Sequence, residues 1–169
     1  MFLPKKIHIL WLILLCSNST MAAQHTIGIL VYDGVLTSDV TSSIEVFGAA
    51  SKKAWFSDFE VVLISPKPQA FITTEEGLSI KVEHTIKDDL KLDVLLVPST
   101  YDMKPLIANR ELISFIQAQA KHAKWVTSNC SGAFLLAEAG ILDGLKATTW
   151  AGGESALQSD YPAVEVQFD

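Results

Sequence analysis

One corner between a strand and a helix constrains this chain more than any other feature. Trp125–Thr127 is a short apolar, β-branched run typical of a strand, and Ala133–Ala139 is rich in alanine and leucine, which favour a helix. So few residues separate the two runs that the chain must turn sharply. Such a corner forces its central residue, Cys130, into a cramped backbone conformation and requires small residues two positions away. Ser128 and Gly132 meet that requirement.

The corner predicts a reactive role for Cys130. A side chain at this position points off the carboxyl end of a strand, beside the first backbone amides of the following helix, those of Ser131 and Gly132. These amides favour a thiolate and can donate hydrogen bonds to an oxyanion that forms on a bound substrate. The alternative is that Cys130 is a small packing residue, because cysteines are often buried and inert.

The first 23 residues have the three-part layout of a secretory signal peptide. Lys5 and Lys6 precede an apolar run over residues 7–16, and small residues follow. We therefore expect export, with a periplasmic location, after cleavage behind Ala22 or Ala23. An uncleaved N-terminal membrane anchor is the alternative, given the length of the apolar run.

Charge and cysteine usage restrict the remainder of the chain. Without residues 1–23 the chain loses two of its 13 basic residues and none of its 19 acidic ones, so 11 basic residues leave a net charge of −8. This balance disfavours a nucleic-acid partner. Cys16 is lost with the segment, so Cys130 is left with no partner for an internal disulfide. The 169-residue length and 49% hydrophobic content suit one domain, over residues 24–169.

Strands and helices alternate along this domain, which predicts an α/β fold with a mainly parallel sheet. Near-continuous apolar runs predict three buried strands, at residues 26–32, 59–65 and 94–98. Apolar residues at helical spacing predict helices at residues 40–55, capped by Ser38 or Asp39, and at 105–122. A period-two pattern predicts a hairpin between residues 71 and 86. Short elements follow at residues 147–149 (strand), 153–160 (helix) and 164–168 (strand).

Several of these segments together carry a resemblance to a known family. They are residues 27–35, Ser38-Asp39-Val40, Glu45-Val46-Phe47, Leu96-Val97-Pro98, and above all residues 130–144 with Ala147-Thr148-Thr149. They resemble the DJ-1/PfpI superfamily, within the class I glutamine-amidotransferase-like fold, in the branch of isocyanide hydratases and the ligand-binding domain of AraC-type regulators. The resemblance implies a flavodoxin-like three-layer sandwich with a nucleophile elbow, and a homodimer. Relatives continue with a further strand and a long helix, so we expect C-terminal elements to be missing.

The resemblance also implies roles for individual residues. Cys130 matches the family's nucleophile, and Asp39 matches a carboxylate that leans over the thiol. An N-cap remains the alternative for Asp39, because aspartate is common at that position. Gly34, Ser131 and Gly132 match backbone positions around the oxyanion site.

Two positions depart from the family pattern. Ser131 stands where peptidase-like members carry a histidine, and Trp150 stands where many relatives carry another. Trp150 and Thr100 are nevertheless expected to line the pocket. The remaining histidines of the domain fall where surface residues are expected: His25, His84 and His122. Without a positioned imidazole, protease-type acyl transfer is poorly supported.

The expected function is that of an exported, cysteine-dependent hydratase or hydrolase acting on a small electrophile of the isocyanide or glyoxal type. Asp39 would move the proton, and neither a cofactor nor a metal ion is expected. The alternative is a ligand-binding module without turnover, related to the sensor domain of AraC-type regulators, or a redox sensor that uses oxidation of Cys130.

Overall fold

The computed structural model describes residues 25–53 and 59–168. Within these ranges the strands are β1 (His25–Leu30), β2 (Phe59–Ser65), β3 (Phe71–Thr73), β4 (Ser79–Lys81), β5 (His84–Thr85), β6 (Val94–Val97), β7 (Trp125–Ser128), β8 (Lys146–Ala147) and β9 (Glu165–Val166). The helices are α1 (Thr37–Lys53), α2 (Lys104–Ile107), α3 (Arg110–Ala120), α4 (Gly132–Glu138) and α5 (Glu154–Asp160). The predicted signal peptide lies outside the described residues, as do residues 54 and 55 of the first predicted helix.

Parallel strands form the central sheet, in the order β5-β2-β1-β6-β7. In β1, Ile27 pairs with Val61 of β2 on one side and with Val94 of β6 on the other. The three strands predicted from continuous apolar runs are these three central ones, because a strand covered on both faces is apolar throughout. The sheet and its connecting helices confirm the predicted flavodoxin-like α/β fold.

Two hydrophobic clusters stabilise the fold. The larger surrounds the central strands and includes the fully buried side chains of Ile29, Ile64, Leu95 and Ile116. The smaller lies around α4, α5 and β9 and contains Ala133, Phe134, Ala137, Leu157, Val164 and Val166. Helix α4 contributes side chains to both clusters, so it joins the central sheet to the C-terminal elements.

The predicted hairpin is present but shorter than expected. β3 and β4 pair antiparallel, and the buried Ile72 lies between two exposed neighbours in β3. The prediction that the hairpin extends to residue 86 is wrong, because β5 leaves it and pairs in parallel with β2, His84 opposite Ile64. A strand of two residues is too short to show a period in the sequence.

The predicted N-cap of the first helix is also wrong. α1 begins at Thr37, so Ser38 and Asp39 lie inside its first turn. The carboxylate of Glu76, in the turn between β3 and β4, accepts hydrogen bonds from the Thr37 amide (2.9 Å) and from the Thr37 hydroxyl (2.5 Å). A side chain distant in sequence therefore satisfies the helix start.

The helix predicted at residues 105–122 is divided into α2 and α3. Asn109 adopts an extended conformation between them, and its side-chain oxygen accepts a hydrogen bond from the Leu112 amide at 3.1 Å. Asn109 is therefore the N-cap of a new helix, a role in which asparagine is favoured. The apolar spacing continues across the break, which explains why the pattern indicated one helix.

The elements beyond α4 form a small separate layer. β8 and β9 pair in parallel, Ala147 opposite Val166, and α5 lies between them in sequence. The predicted strand at residues 147–149 is therefore shifted toward Lys146, whereas the predicted helix at residues 153–160 agrees with α5. None of the helices in the described ranges has the length and apolar character needed to span a bilayer.

Candidate active site

Cys130 occupies a strained corner between β7 and α4. Its φ of 46° lies in the left-handed region, and it is the one residue other than glycine with a positive φ in the described part of the chain. The following helix comes very close to β6: a Cβ atom added to Gly132 would lie 2.2 Å from the Val97 carbonyl oxygen. The corner therefore has the geometry of a nucleophile elbow, and Gly132 is small because the backbone of a neighbouring strand fills the space.

The thiol of Cys130 opens into a cavity of about 590 Å³ at the carboxyl ends of β6 and β7. Cys130 is exposed, so the alternative of a buried packing residue is wrong. Ser131, Thr100 and Trp150 line the same cavity. Its apolar wall consists of Leu36, Met103, Ile107 and Phe134. Four of the seven predicted site residues thus meet at one cavity of the size that small-molecule sites have.

Ser131 contributes through its side chain as well as its backbone. Its hydroxyl is buried, donates to the Thr100 carbonyl at 2.8 Å and accepts from the Thr100 amide at 3.1 Å. This pair of bonds joins the residue after the cysteine to the loop after β6. Ser131 therefore fixes the position of the cavity wall relative to Cys130.

Asp39 does not itself line the cavity. One oxygen of its carboxylate, Oδ2, accepts hydrogen bonds from the Ser99 amide (2.9 Å) and from the Ser99 hydroxyl (2.5 Å). Ser99 is buried and does line the cavity. The connection between Asp39 and the cavity thus passes through Ser99, a residue that the sequence prediction missed. Its position at the carboxyl end of a central strand was the available signal.

The phenol of Tyr32 is bonded to the residue that precedes Ser99. Tyr32 is buried and its hydroxyl donates to the Pro98 carbonyl, next to Ser99. Burial, and then the negative charge of Asp39, raise the pKa of Tyr32 far above its ordinary value. Tyr32 is therefore a neutral structural donor, which keeps the start of the loop after β6 in place.

Of the three backbone positions expected around an oxyanion, Gly34 and Gly132 have amides that already meet an acceptor. The Gly34 amide donates to the Thr73 carbonyl at 2.9 Å, and the Gly132 amide donates to the Asn129 carbonyl at 2.8 Å. The Ser131 amide has no acceptor among the described residues. The Gly132 amide is thus used in the turn at the corner and the Gly34 amide in a bond to β3, which leaves the Ser131 amide available to an oxyanion; Gly34 itself has a φ of 81°.

Aromatic side chains form one side of the cavity. The rings of Phe134 and Trp150 are stacked, with centroids 5.4 Å apart, and Phe134 meets Tyr161 edge to face at 6.0 Å. The residue before Trp150 is tied to the corner, because the Thr149 hydroxyl donates to the Cys130 carbonyl at 2.8 Å. Phe134 is a further cavity residue, which the sequence analysis did not single out.

The three histidines among the described residues do not line this cavity. His25 is 3.5 Å from an Asp93 carboxylate oxygen, and His84 is 3.3 Å from one of Asp88. His122 follows the end of α3 and is exposed. Within residues 25–53 and 59–168, no three histidine, cysteine or acidic side chains are grouped so that they could hold a metal ion. The chemistry available at the cavity is therefore that of a thiol, hydroxyls and backbone amides, of the charged side chains of Asp102, Lys104 and Asp160 that also line it, and of the nearby Asp39 carboxylate.

Comparison with known proteins assigns the chain to a family. The sequence profile of the DJ-1/PfpI family matches residues 25–167. Isonitrile hydratase of Pseudomonas putida is 36% identical over 132 residues, which cover 78% of this chain and 54% of that protein. The chain thus spans about half the length of this relative.

Solved structures share the fold. A ThiJ/PfpI family protein from Pseudomonas syringae has a TM-score of 0.71 and 27% identity, over 83% of this chain and 56% of that one. An AraC family transcriptional regulator from Pseudomonas putida has a TM-score of 0.68 and 18% identity, over 85% of this chain and 76% of that one. At the latter identity the similarity concerns the fold alone.

Proposed function

The chain belongs to the DJ-1/PfpI family, and we propose that it is a cysteine-dependent enzyme that adds water to a small electrophilic carbon, with an isonitrile as the substrate class. The observation that carries this proposal is the strained, exposed Cys130 in a cavity beside the free amide of Ser131. The 36% identity with an isonitrile hydratase supports the choice of substrate. Addition of water to a glyoxal-type electrophile, with Cys130 as the nucleophile, is the related alternative.

The proposed reaction proceeds in two balanced steps. In the first, a bond forms between Sγ of Cys130 and the terminal carbon of the isonitrile, and the thiol proton is transferred to that same carbon, which gives a thioformimidate. In the second, water attacks this carbon, the carbon–sulfur bond breaks, and the two protons of the water pass to the nitrogen and to the departing thiolate. The sum is one isonitrile and one water converted to one N-substituted formamide.

The surrounding residues suit the proton transfers. Ser99 lines the cavity and its hydroxyl donates to Asp39, so a proton can pass between the reacting atoms and the Asp39 carboxylate through one hydroxyl. The Ser131 amide is placed to donate to negative charge that develops when water attacks. Ser99 and Ser131 are both buried and line the cavity together with Cys130.

Formation of a formamide from an isonitrile by the purified chain tests the proposal. We expect product with the unchanged protein and none with Cys130→Ala. Cys16→Ala is the matched control, because Cys16 lies in the predicted signal peptide, and it should leave the rate unchanged. Product formation by Cys130→Ala at the unchanged rate would contradict the proposal.

A ligand-binding module is the second candidate. It is favoured by one observation: no imidazole lines the cavity among the described residues. The cavity would then hold a small molecule without turnover. In that case no isonitrile or glyoxal is consumed, and Cys130→Ser keeps its affinity for the ligand because the hydroxyl occupies nearly the same space.

Export and a homodimer are further proposals. Lys5, Lys6 and the apolar residues 7–16 support export to the periplasm. Sequencing of the protein recovered from cells should give an N-terminus at Ala23 or Gln24, and an intact Met1 form in the cytoplasm would contradict export. The net charge of the domain supports a small-molecule partner and no nucleic acid, and sedimentation would measure whether two copies associate.

A further inference from the structure

The aromatic side of the cavity is rigidly built. Trp150 is stacked on Phe134, which is buried in the smaller hydrophobic cluster. Gly153 packs against the indole so closely that an added Cβ atom would lie 2.4 to 2.6 Å from three of its ring atoms. Behind Phe134, the Tyr161 hydroxyl donates to the Glu138 carboxylate at 3.1 Å. The indole is therefore held in one place before any ligand binds.

This rigid side remains accessible. Trp150 keeps 40% of its surface exposed and lines the cavity together with Phe134 and Cys130. The Thr149 hydroxyl, one residue earlier, donates to the Cys130 carbonyl, which sets the position of Trp150 relative to the nucleophile. A fixed, accessible aromatic surface near the thiol is suited to selecting the substituent that the electrophile carries on its reacting carbon.

We propose that Trp150 and Phe134 form a subsite for an aromatic group carried by the electrophile that reacts with Cys130. Two aromatic rings in contact gain energy beyond the area they bury, because the electron-rich faces and electron-poor edges attract one another. The cavity of about 590 Å³ is also larger than the reacting carbon alone requires, and the remaining apolar wall would enclose the attached group. The substrate class is therefore an aromatic rather than an alkyl electrophile.

This inference rests on the proposed function only in taking Cys130 as the reacting group, so its test does not use turnover. The probes are N-benzyl iodoacetamide and N-cyclohexylmethyl iodoacetamide, which are similar in size and differ in aromaticity. In each, Sγ of Cys130 forms a bond to carbon, iodide leaves with the electrons of the broken carbon–iodine bond, and the thiol proton passes to solvent. Mass spectrometry of the Cys130 peptide in the full chain separates this reaction from that of Cys16.

The benzyl probe should alkylate native Cys130 faster than the cyclohexylmethyl probe, after each rate is divided by its rate with glutathione. Trp150→Leu should reduce that preference about two- to tenfold, in line with the energy of an aromatic pair. Trp150→Phe should keep most of it. Trp125→Leu is the matched control and should change nothing, because Trp125 is 61% exposed on β7 and does not line the cavity.

Two results would overturn the subsite. One is an equal preference in Trp150→Leu and in the unchanged protein. The other is a native preference no greater than that of the urea-denatured chain, a measurement that requires no variant to fold. A chain that hydrates no isonitrile but shows the benzyl preference would instead reject the proposed function and keep the aromatic subsite.

Discussion

At the scale of single residues, the carboxylate of Asp39 bonds to Ser99 and not to the start of its own helix. Its Oδ2 atom is held by the amide and the hydroxyl of Ser99, whereas Glu76 occupies the start of α1. The family resemblance and the capping preference of aspartate pointed to two different roles. The hydrogen bonds exclude the capping role, because Asp39 accepts none from an amide of its own helix among the described residues.

Asp39→Asn should therefore lower isonitrile turnover by about 100-fold, the usual effect of losing a general acid or base. The amide keeps the shape and can still accept from Ser99, so the fold should be retained. Ser99→Ala should lower the rate in the same direction, because it removes the hydroxyl between Asp39 and the cavity. Steady-state rates of both variants, with thermal unfolding as the check on folding, decide this. Full activity in Asp39→Asn would exclude Asp39 from the mechanism.

The corner at Cys130 is possible because Gly132 has no Cβ atom. Gly132→Ala would place a Cβ atom 2.2 Å from the Val97 carbonyl oxygen and 3.0 Å from that of Pro98, and neither backbone atom can move freely. We expect a loss of about 1–3 kcal/mol in the free energy of unfolding, as for other overpacked sites. Chemical denaturation measures it.

Gly48→Ala is the matched control for that substitution. Gly48 also lies in a helix, α1, but a Cβ atom there would have no neighbour within 4 Å. Because alanine favours a helix, this change should stabilise the protein by about 0.4–1 kcal/mol. If Gly132→Ala proves as harmless as Gly48→Ala, the close contact between α4 and β6 is not as described.

At the scale of elements, the sequence predicts what is local and periodic. The central strands are near-continuous apolar runs, so their places were predictable to within a residue or two. The cap of α1 was not, because Glu76 reaches Thr37 from another part of the chain. The break before α3 depends on one asparagine, and β5 has two residues. Such features arise from tertiary contacts, which leave no period in the sequence.

The same limit applied to the candidate site. The corner at Cys130 was predictable because its signature is local: a strand, small residues and a helix. Ser99 carries no such signature, and its role follows only from the position of Asp39 in space. Likewise, the sequence could not show that the Gly132 amide bonds to Asn129, so that of the two predicted donors only the Ser131 amide has no acceptor among the described residues.

Glu76→Gln tests the contact that starts α1. Hydrogen bonds from the hydroxyl and the amide of Thr37 hold the pKa of Glu76 below its ordinary value of about 4.3. A carboxylate whose pKa is lowered in the folded state stabilises the fold at every pH above its ordinary pKa. This contribution is lost as the pH falls through the lowered pKa. Glu76→Gln should therefore be less stable than the unchanged protein at pH 7, and the difference should narrow as the pH falls below the ordinary pKa of a glutamate, about 4.3.

Unfolding midpoints in denaturant at several pH values measure this difference. Glu83→Gln is the control, because the Glu83 side chain makes no hydrogen bond in the part of the chain that the structure describes. That control should track the unchanged protein across the pH range. A difference for Glu76→Gln that stays constant with pH would show that the charge of Glu76 does not contribute to the cap.

At the scale of the whole molecule, the two hydrophobic clusters divide the structure into parts with different connections to the sheet. The central strands belong to the larger cluster, whereas α5 and β9 reach the rest of the protein mainly through the smaller one and α4. Trp150 and Tyr161 belong to the C-terminal layer, residues 145–167, and both pack on Phe134. One side of the cavity therefore depends on these C-terminal elements, and we expect them to open at a lower free energy than the central sheet.

Leu157→Ala tests this division. Leu157 is fully buried in the smaller cluster, so its truncation should reduce the stability of that layer by about 2–5 kcal/mol. Amide hydrogen exchange should then become faster over residues 145–167 and remain slow in β1 and β6, because regions open with different free energies. Leu145→Ala is the control, since Leu145 is exposed. The benzyl preference at Cys130 should fall together with the protection of residues 145–167. Equal acceleration in β1 and β6 would mean that the two clusters unfold as one unit, and the aromatic side of the cavity would then be as stable as the sheet itself.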